Sequence, residues 1–342
     1  MNNLNLLWDI TNECNLRCIH CYNANAPAKH SSGFDMIEPK EIIKQLSNLG
    51  FTHIHLLGGE PLLYKKLPVL INTAIKNNID ISINTNGLLL TDSTCEFLLK
   101  SGVSQVVISL DGASAKDNDF IRGKGVFEKV TKNIRRLSNF RETLNSNISI
   151  GLASVITKSN IENIHKIVSF AKELCIDYID ISALYHNGNA IKNLDILSIT
   201  PEEYYEAIKK ILAYSIKFQQ KVQVDCKSMV LQKIYKEIGL TVQIDDSYDV
   251  CQAGKTMIYM DANLNLFPCG PYAYKIPDGE FKVNLFDKNA LEQLSQFNHI
   301  SKNTKKHKIC KQCSHKSSCQ QCPICYSDSD KLCEFLLKKC DT

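Results

Sequence analysis

The sequence predicts an α/β protein, a partial (β/α)6 barrel of the TIM type followed by a small, loop-rich, cysteine-dense C-terminal segment. Three observations predict it. Short apolar runs alternate with helix-patterned stretches through the first half, periodicity fades after about residue 250, and 9 of the 15 cysteines fall in Cys251–Cys340. The strand candidates are Leu4–Thr11, His53–Leu57, Ile79–Thr85, Gln105–Asp111, Ile148–Ile156 and Tyr178–Ala183, each a short apolar run. Between them, helical spacing marks Pro39–Leu49, Leu67–Asn77, Ser93–Lys100, Phe127–Phe140 and Ile161–Leu174. Strands separated by helices imply a parallel sheet, and right-handed crossovers curl it into an open or partial barrel. Thr200-Pro201-Glu202-Glu203 then starts a helix that runs to about Gln219, with Thr200 as N-cap and Pro201 in the first turn. These breaks divide the chain into 1–195, 196–245 and 246–342, the last depending on metal ligation for its fold.

Composition narrows the function. A chain of 342 residues, 44% hydrophobic and 22% charged, is too apolar for a disordered protein and long enough for a full-sized core. No signal-peptide pattern opens it and no stretch approaches the roughly 18 apolar residues of a membrane span. A soluble, cytoplasmic protein without a membrane partner is therefore expected. In a reducing compartment, fifteen cysteines in clusters suit metal ligation better than disulfides. A net charge of +4 gives little ground for a nucleic-acid partner.

Cys14-x3-Cys18-x2-Cys21 is the most informative string. It places three thiols on one loop after the first strand, whereas a 4Fe-4S cluster takes four ligands. One iron would be left open to a chelating small molecule. Unrelated thiols or an incomplete zinc site are the alternatives. Further strings fall after successive strands, on the rim where such sheets bind ligands: Gly58-Gly59-Glu60-Pro61, Thr85-Asn86-Gly87 and Ser109-Leu110-Asp111-Gly112.

With these residues the chain resembles a radical S-adenosylmethionine (SAM) enzyme over roughly residues 4–195. His20 fills the usual aromatic position before the third cysteine, and Val155-Ile156-Thr157 with Asn160, then Gly188-Asn189-Ala190, continue the family's landmarks in order. The resemblance implies that Cys14, Cys18 and Cys21 hold a 4Fe-4S cluster whose open iron takes the amine and carboxylate of SAM. It also implies that Gly58, Gly59 and Glu60 meet the SAM amino group and that Ser109 and Asp111 approach the ribose. An Asx turn before Gly112 is the plainer role for Asp111. Reduction of the sulfonium would release a 5′-deoxyadenosyl radical that abstracts a substrate hydrogen. No further catalytic residue is identified.

The remaining cysteines form a second constellation: Cys251, Cys269, then Cys310-x2-Cys313-x5-Cys319-x2-Cys322, with Cys325, Cys333 and Cys340 trailing. This resembles the SPASM extension of peptide-modifying radical SAM enzymes, which carries two auxiliary 4Fe-4S clusters. The resemblance assigns Cys251, Cys269 and Cys322 to the first and Cys310, Cys313, Cys319 and Cys340 to the second, with Cys325 or Cys333 available to complete the first. Read without the N-terminal half, the paired cysteines would suit zinc. Leu264 departs from the pattern, standing where the family usually has glycine, and the last spacing of the Cys310 string is one residue short.

The expected function is hydrogen abstraction from a ribosomally made peptide, ending in a crosslink, an epimerisation or an oxidation. Gly270, where sulfatase-maturing enzymes carry an aspartate after the auxiliary cysteine, counts against that reaction. tRNA, haem precursors or other small molecules are alternative substrates, and a zinc-binding interaction protein is the non-enzymatic alternative. Expected partners are the peptide or protein substrate and an electron donor such as flavodoxin or ferredoxin; since strand one starts almost at Met1, either the leader docks on the barrel or SPASM surface or a separate leader-binding protein supplies recognition. His53 and His55 could face the barrel interior, where a satisfied structural histidine is the plainer reading than a catalytic one, and Arg122 either anchors a carboxylate or belongs to a simple helix-start turn. The lysine run Lys302–Lys316 could meet an acidic peptide or RNA but reads more plainly as a solvated face, and Cys95, Cys175 and Cys226 as small apolar residues.

Overall fold

The structure, a computed structural model, describes residues 3–24, 37–242 and 251–302 together with Phe335. Ten strands form: β1 (Leu4–Asp9), β2 (Phe51–Leu57), β3 (Asp80–Thr85), β4 (Gln105–Ser109), β5 (Ser149–Val155), β6 (Tyr178–Ser182), β7 (Lys221–Val224), β8 (Met257–Met260), β9 (Asn265–Phe267) and β10 (Val283–Asn284). They make one sheet in the order β10-β9-β8-β1-β2-β3-β4-β5-β6-β7. β1 to β7 are parallel neighbours in chain order, so their C-terminal ends share one rim.

Helices α1 (Pro39–Asn48), α2 (Leu67–Lys76), α3 (Asp92–Lys100), α4 (Ala115–Arg122), α5 (Val126–Thr143) and α6 (Ile167–Glu173) fill the crossovers. Strand period two decides what they cover. Ile54 and Leu56, Ile81 and Ile83, Val106 and Ile108, Ile150 and Leu152 are fully buried against apolar faces such as Ile42, Ile43 and Leu46 of α1. Each such side chain stabilises the fold by about 1.5–3 kcal/mol. The alternating residues Leu57, Asn84, Ser109, Ala153, Val155 and Ser182 face the other way and line a cavity at the C-terminal rim.

All six expected strands and the helices between them form, and the Thr200 capping box closes as read: Glu203 N donates to Thr200 Oγ1 at 3.1 Å and Thr200 N to Glu203 Oε2 at 2.6 Å. α7 (Asn189–Lys192) and α8 (Leu194–Leu197) precede that helix, α9 (Pro201–Phe218), and α10 (Ser228–Glu237), α11 (Gly270–Lys275) and α12 (Ala290–Ser295) follow it. The barrel gains strands that the sequence reading lacked. β7 extends the parallel row beyond six, and β8 pairs in parallel with the outer side of β1. At four, four, three and two residues, β7 to β10 are too short to display alternation. Among the described residues no helix is long and apolar enough to cross a membrane.

Leu264, the departure from the family pattern, sits between β8 and β9 with φ +62°, a left-handed backbone that glycine adopts without strain. Its side chain is 2% exposed in the main core. The cost of that conformation, about 1–2 kcal/mol, is matched by burying a leucine, worth a similar amount or more.

Candidate active site

The cysteine loop leaves β1 and returns over the rim. Cys14, Cys18 and Cys21 all line the rim cavity, of about 300 Å³, together with His20, Tyr22, Gly58, Gly59, Ser109 and Arg122. None is in a disulfide. Leu16 N donates to Cys14 Sγ at 3.4 Å. Burial raises all three thiols above their ordinary range, Cys18 to about 11 despite the opposing charge of Arg122. They therefore keep their protons at neutral pH unless a cation takes the protons' place, which is the donor chemistry of a metal–thiolate site.

Gly58 and Gly59 are required by the cysteine loop itself. A Cβ on Gly59 would lie 2.0 Å from the Glu13 carbonyl oxygen, and one on Gly58, at φ +122°, would lie 2.4 Å from that of Thr11. Gly59 N donates to Thr11 O at 2.6 Å and Glu60 N to Glu13 O at 2.7 Å, so the two loops are stitched backbone to backbone. Glu60 is fully buried and outside the cavity lining. Its carboxylate accepts from Thr85 Oγ1 at 2.7 Å, Asn86 N at 2.8 Å and Leu62 N at 3.1 Å, tying the loops after β2 and β3 together.

Ser109 faces the cavity as expected, but Asp111 does not. Fully buried, it binds Arg122 Nε at 2.7 Å and His20 Nε2 at 3.0 Å and accepts from Val155 N at 2.9 Å. Burial alone would raise its carboxyl; Arg122 and His20 outweigh burial and hold it well below the usual carboxylate range. Asp111 thus joins the ends of β4 and β5 to α4 and the cysteine loop, a role closer to the turn reading than to ligand contact. Of the two readings of Arg122, carboxylate anchor and helix-start turn, the geometry has the first, with Asp111 as the carboxylate, and Arg122 also lines the cavity beside Cys18.

Sequence reasoning missed Asp9. At the end of β1 and 1% exposed, its Oδ2 accepts from Tyr259 at 2.6 Å, Tyr274 at 2.7 Å and Asn23 at 3.2 Å. Tyr22, from the cavity wall, packs on Tyr274 with ring centroids 5.3 Å apart. Burial pushes the Asp9 carboxyl up to about 6, against the lowering effect of the two tyrosines. A raised carboxyl binds protons more tightly when folded, so Asp9 removes stability as pH rises from about 4 to 6, by up to about 3 kcal/mol. The gain in unfolding free energy of Asp9→Asn over the wild type is expected to grow across that window. A difference independent of pH in denaturant titrations would refute it.

His53 and His55 lie beneath the cavity floor and share Ser82 Oγ, and His53 reaches Asp80 at 2.9 Å, in keeping with structural roles. Cys95 and Cys226 are buried as expected; Cys175 is exposed, at φ +57° in the turn after α6. Cys251 and Cys269 lie on adjacent segments, since Gly254 N donates to Pro268 O at 3.0 Å. Cys310, Cys313, Cys319, Cys322, Cys325, Cys333, Cys340 and most of the lysine run lie outside the described residues.

Comparison with known proteins agrees with this geometry. The model of the radical SAM superfamily matches residues 8–171, the span from β1 to α6 that supplies most of the cavity lining. The chain carries a radical SAM domain. A radical SAM domain implies a 4Fe-4S cluster and SAM, and the chain is accordingly an enzyme. It is 25% identical over 280 residues to an AdoMet-dependent heme synthase of Methanosarcina barkeri, covering 78% of this chain and 76% of the relative. It is 30% identical over 166 residues to mycofactocin maturase MftC of Mycolicibacterium smegmatis, covering 48% of this chain and 41% of the relative. Among solved structures, Streptococcus suis SuiB bound to S-adenosylmethionine superposes with a TM-score of 0.72 at 20% identity, over 93% of this chain and 72% of that one. That likeness shows the fold. The chain thus spans less than half the length of the maturase.

Proposed function

We propose that this radical SAM enzyme modifies a ribosomally made peptide, with residues 1–195 as its core, 196–245 as a connector and 246–342 as a SPASM-type segment. The observation that carries the reading is the convergence of Cys14, Cys18 and Cys21 on one rim cavity, with Cys269 on the segment whose Tyr274 packs against Tyr22 of the same loop.

In this reading Cys14, Cys18 and Cys21 ligate the SAM-binding cluster. Cys251, Cys269 and Cys322 ligate a first auxiliary cluster, and Cys310, Cys313, Cys319 and Cys340 a second. When bound, cluster and SAM supply a 5′-deoxyadenosyl radical. The chain's own residues do the rest. Gly58 and Gly59 hold the cysteine loop, Arg122 sets positive charge beside Cys18, and Ser109 offers a hydroxyl at the floor. The apolar wall of Leu57, Ala153, Val155 and Leu184 would pack against the substrate and hold its C–H bond in place. A ferredoxin or flavodoxin delivers electrons.

Gly270 supports a substrate other than sulfatase: it begins α11 beside Tyr259 and Tyr274 and brings no acid to that position. The long match to a heme synthase favours a second reading, a tetrapyrrole substrate. The test is anaerobic reconstitution with iron and sulfide analysis, then mass spectrometry of candidate peptides and porphyrins incubated with SAM and a reductant. About twelve irons per chain fit three clusters, about four eliminate the auxiliary pair, and none eliminates the whole reading.

A further inference from the structure

Residues 187–193, between β6 and α8, lie across the cysteine loop as a strap. Asn189 N donates to the carbonyl of Cys21 at 2.9 Å and Asn189 Nδ2 to that of Cys18 at 3.1 Å. Asn187 Nδ2 donates to the carbonyl of Tyr22 at 2.9 Å and Asn193 Nδ2 to that of Ile19 at 3.1 Å. Asn193 Nδ2 also reaches Asn189 O at 2.8 Å, which closes the strap on itself. Gly188 lets the two backbones meet: at φ +58°, a Cβ there would lie 2.4 Å from the carbonyl oxygens of both Cys21 and Tyr22.

Four carbonyls of the loop, at residues 18, 19, 21 and 22, are thus drawn to one strap whose donors are carboxamide and backbone N–H groups. The direction of each carbonyl is the direction of its peptide dipole. With these four carbonyls each held by a donor of the strap, the path of the loop, and so the Cα positions from which the cysteine side chains project, is tied to the strap.

We propose that Asn187, Asn189 and Asn193 are positioning residues for the radical SAM site: they fix the peptide orientations of the cysteine loop and thereby hold its three thiolates on the cluster. The proposal rests on the reading that Cys14, Cys18 and Cys21 ligate a cluster. Outer partners of metal ligands usually change metal retention by 10–100-fold when removed. Asn189 acts on two of the three cysteines' peptide units, through Cys18 and Cys21, so its removal should have the largest effect.

The full-length protein, reconstituted anaerobically, provides the test. In Asn189→Ala, iron of the SAM-responsive cluster is expected to pass to a chelator at least about tenfold faster than in the wild type. The change in the electron paramagnetic resonance spectrum that follows SAM addition should weaken in parallel. Asn189→Asp should lose iron faster than Asn189→Ala, because its carboxylate faces the Cys18 carbonyl oxygen. Asn193→Ala, which touches the Ile19 carbonyl and no cysteine, carries the same test if the Asn189 variants do not fold. Wild-type iron loss and a wild-type SAM response in both alanine variants would overturn the proposal. A wild-type protein that takes up no iron would instead overturn the reading of the site.

Discussion

Replacing Cys18 with alanine is expected to abolish SAM cleavage and to remove about four irons per chain while the folded protein remains. Cys18 is the most enclosed of the three thiols, 9% exposed, with its thiol raised to about 11. Only a ligated metal makes its thiolate favourable at neutral pH, and beyond Cys14 and Cys21, themselves in the set, no described cysteine lies on the cavity wall to replace it. Alanine removes one small buried group, so the stability cost should stay within a few kcal/mol. Iron and sulfide analysis beside thermal unfolding of the metal-free protein separates the two effects. A variant that retains full iron content and cleaves SAM would show that Cys18 is not a ligand.

Replacing Arg122 with methionine is expected to cost about 3–5 kcal/mol, because it leaves Asp111 buried with its charge uncompensated. The two side chains are 8% and 0% exposed, so little solvent screening softens the loss. His20 remains beside Asp111 and keeps the effect from being larger. Replacing both partners, as in Arg122→Met with Asp111→Leu, should cost less than the sum of the single changes. The pair also fixes a pH dependence opposite in sign to that of Asp9. Asp111 is depressed in the folded state, so its contribution is complete above the unfolded value of 3.8 and is lost as pH falls toward the lower folded value. Denaturant titrations from pH 3 to 7 should show the loss in the wild type and little of it in the double variant. An Arg122→Met protein within about 1 kcal/mol of the wild type would place the pair in contact with water instead.

Much of this was legible before any coordinates. The six long strands declare themselves because alternating residues have two different destinations, helix-covered core and inner cavity. The three cysteines and the glycines after β2 declare themselves because close approach and metal ligation tolerate few residue types. The contacts of those glycines were not legible: the same absence of Cβ serves a ligand or a neighbouring backbone, and here it serves the Thr11–Glu13 backbone. Asp111 had the same ambiguity, since a carboxylate before glycine fits a turn, a ligand contact or an ion pair. Asp9 escaped altogether, and Gly188-Asn189-Ala190 reads as a landmark without its contacts to the cysteine loop. Their partners are some 250 and 170 residues away in sequence, and no local spacing marks such a meeting.

The pairing of β1 with β8 has a consequence for how the chain is made. β1 holds Trp8 near the middle of the finished sheet, yet its register with β8 joins Asn5 to Met257, on opposite ends of the described chain. During synthesis the row from β1 to β7 can assemble as its helices emerge, but one side of β1 must stay an open strand edge until the residues around 260 leave the ribosome. The strand that launches the cysteine loop is therefore among the first made and among the last enclosed. Loading of the N-terminal thiols and docking of the C-terminal segment then become coupled in time as well as in space.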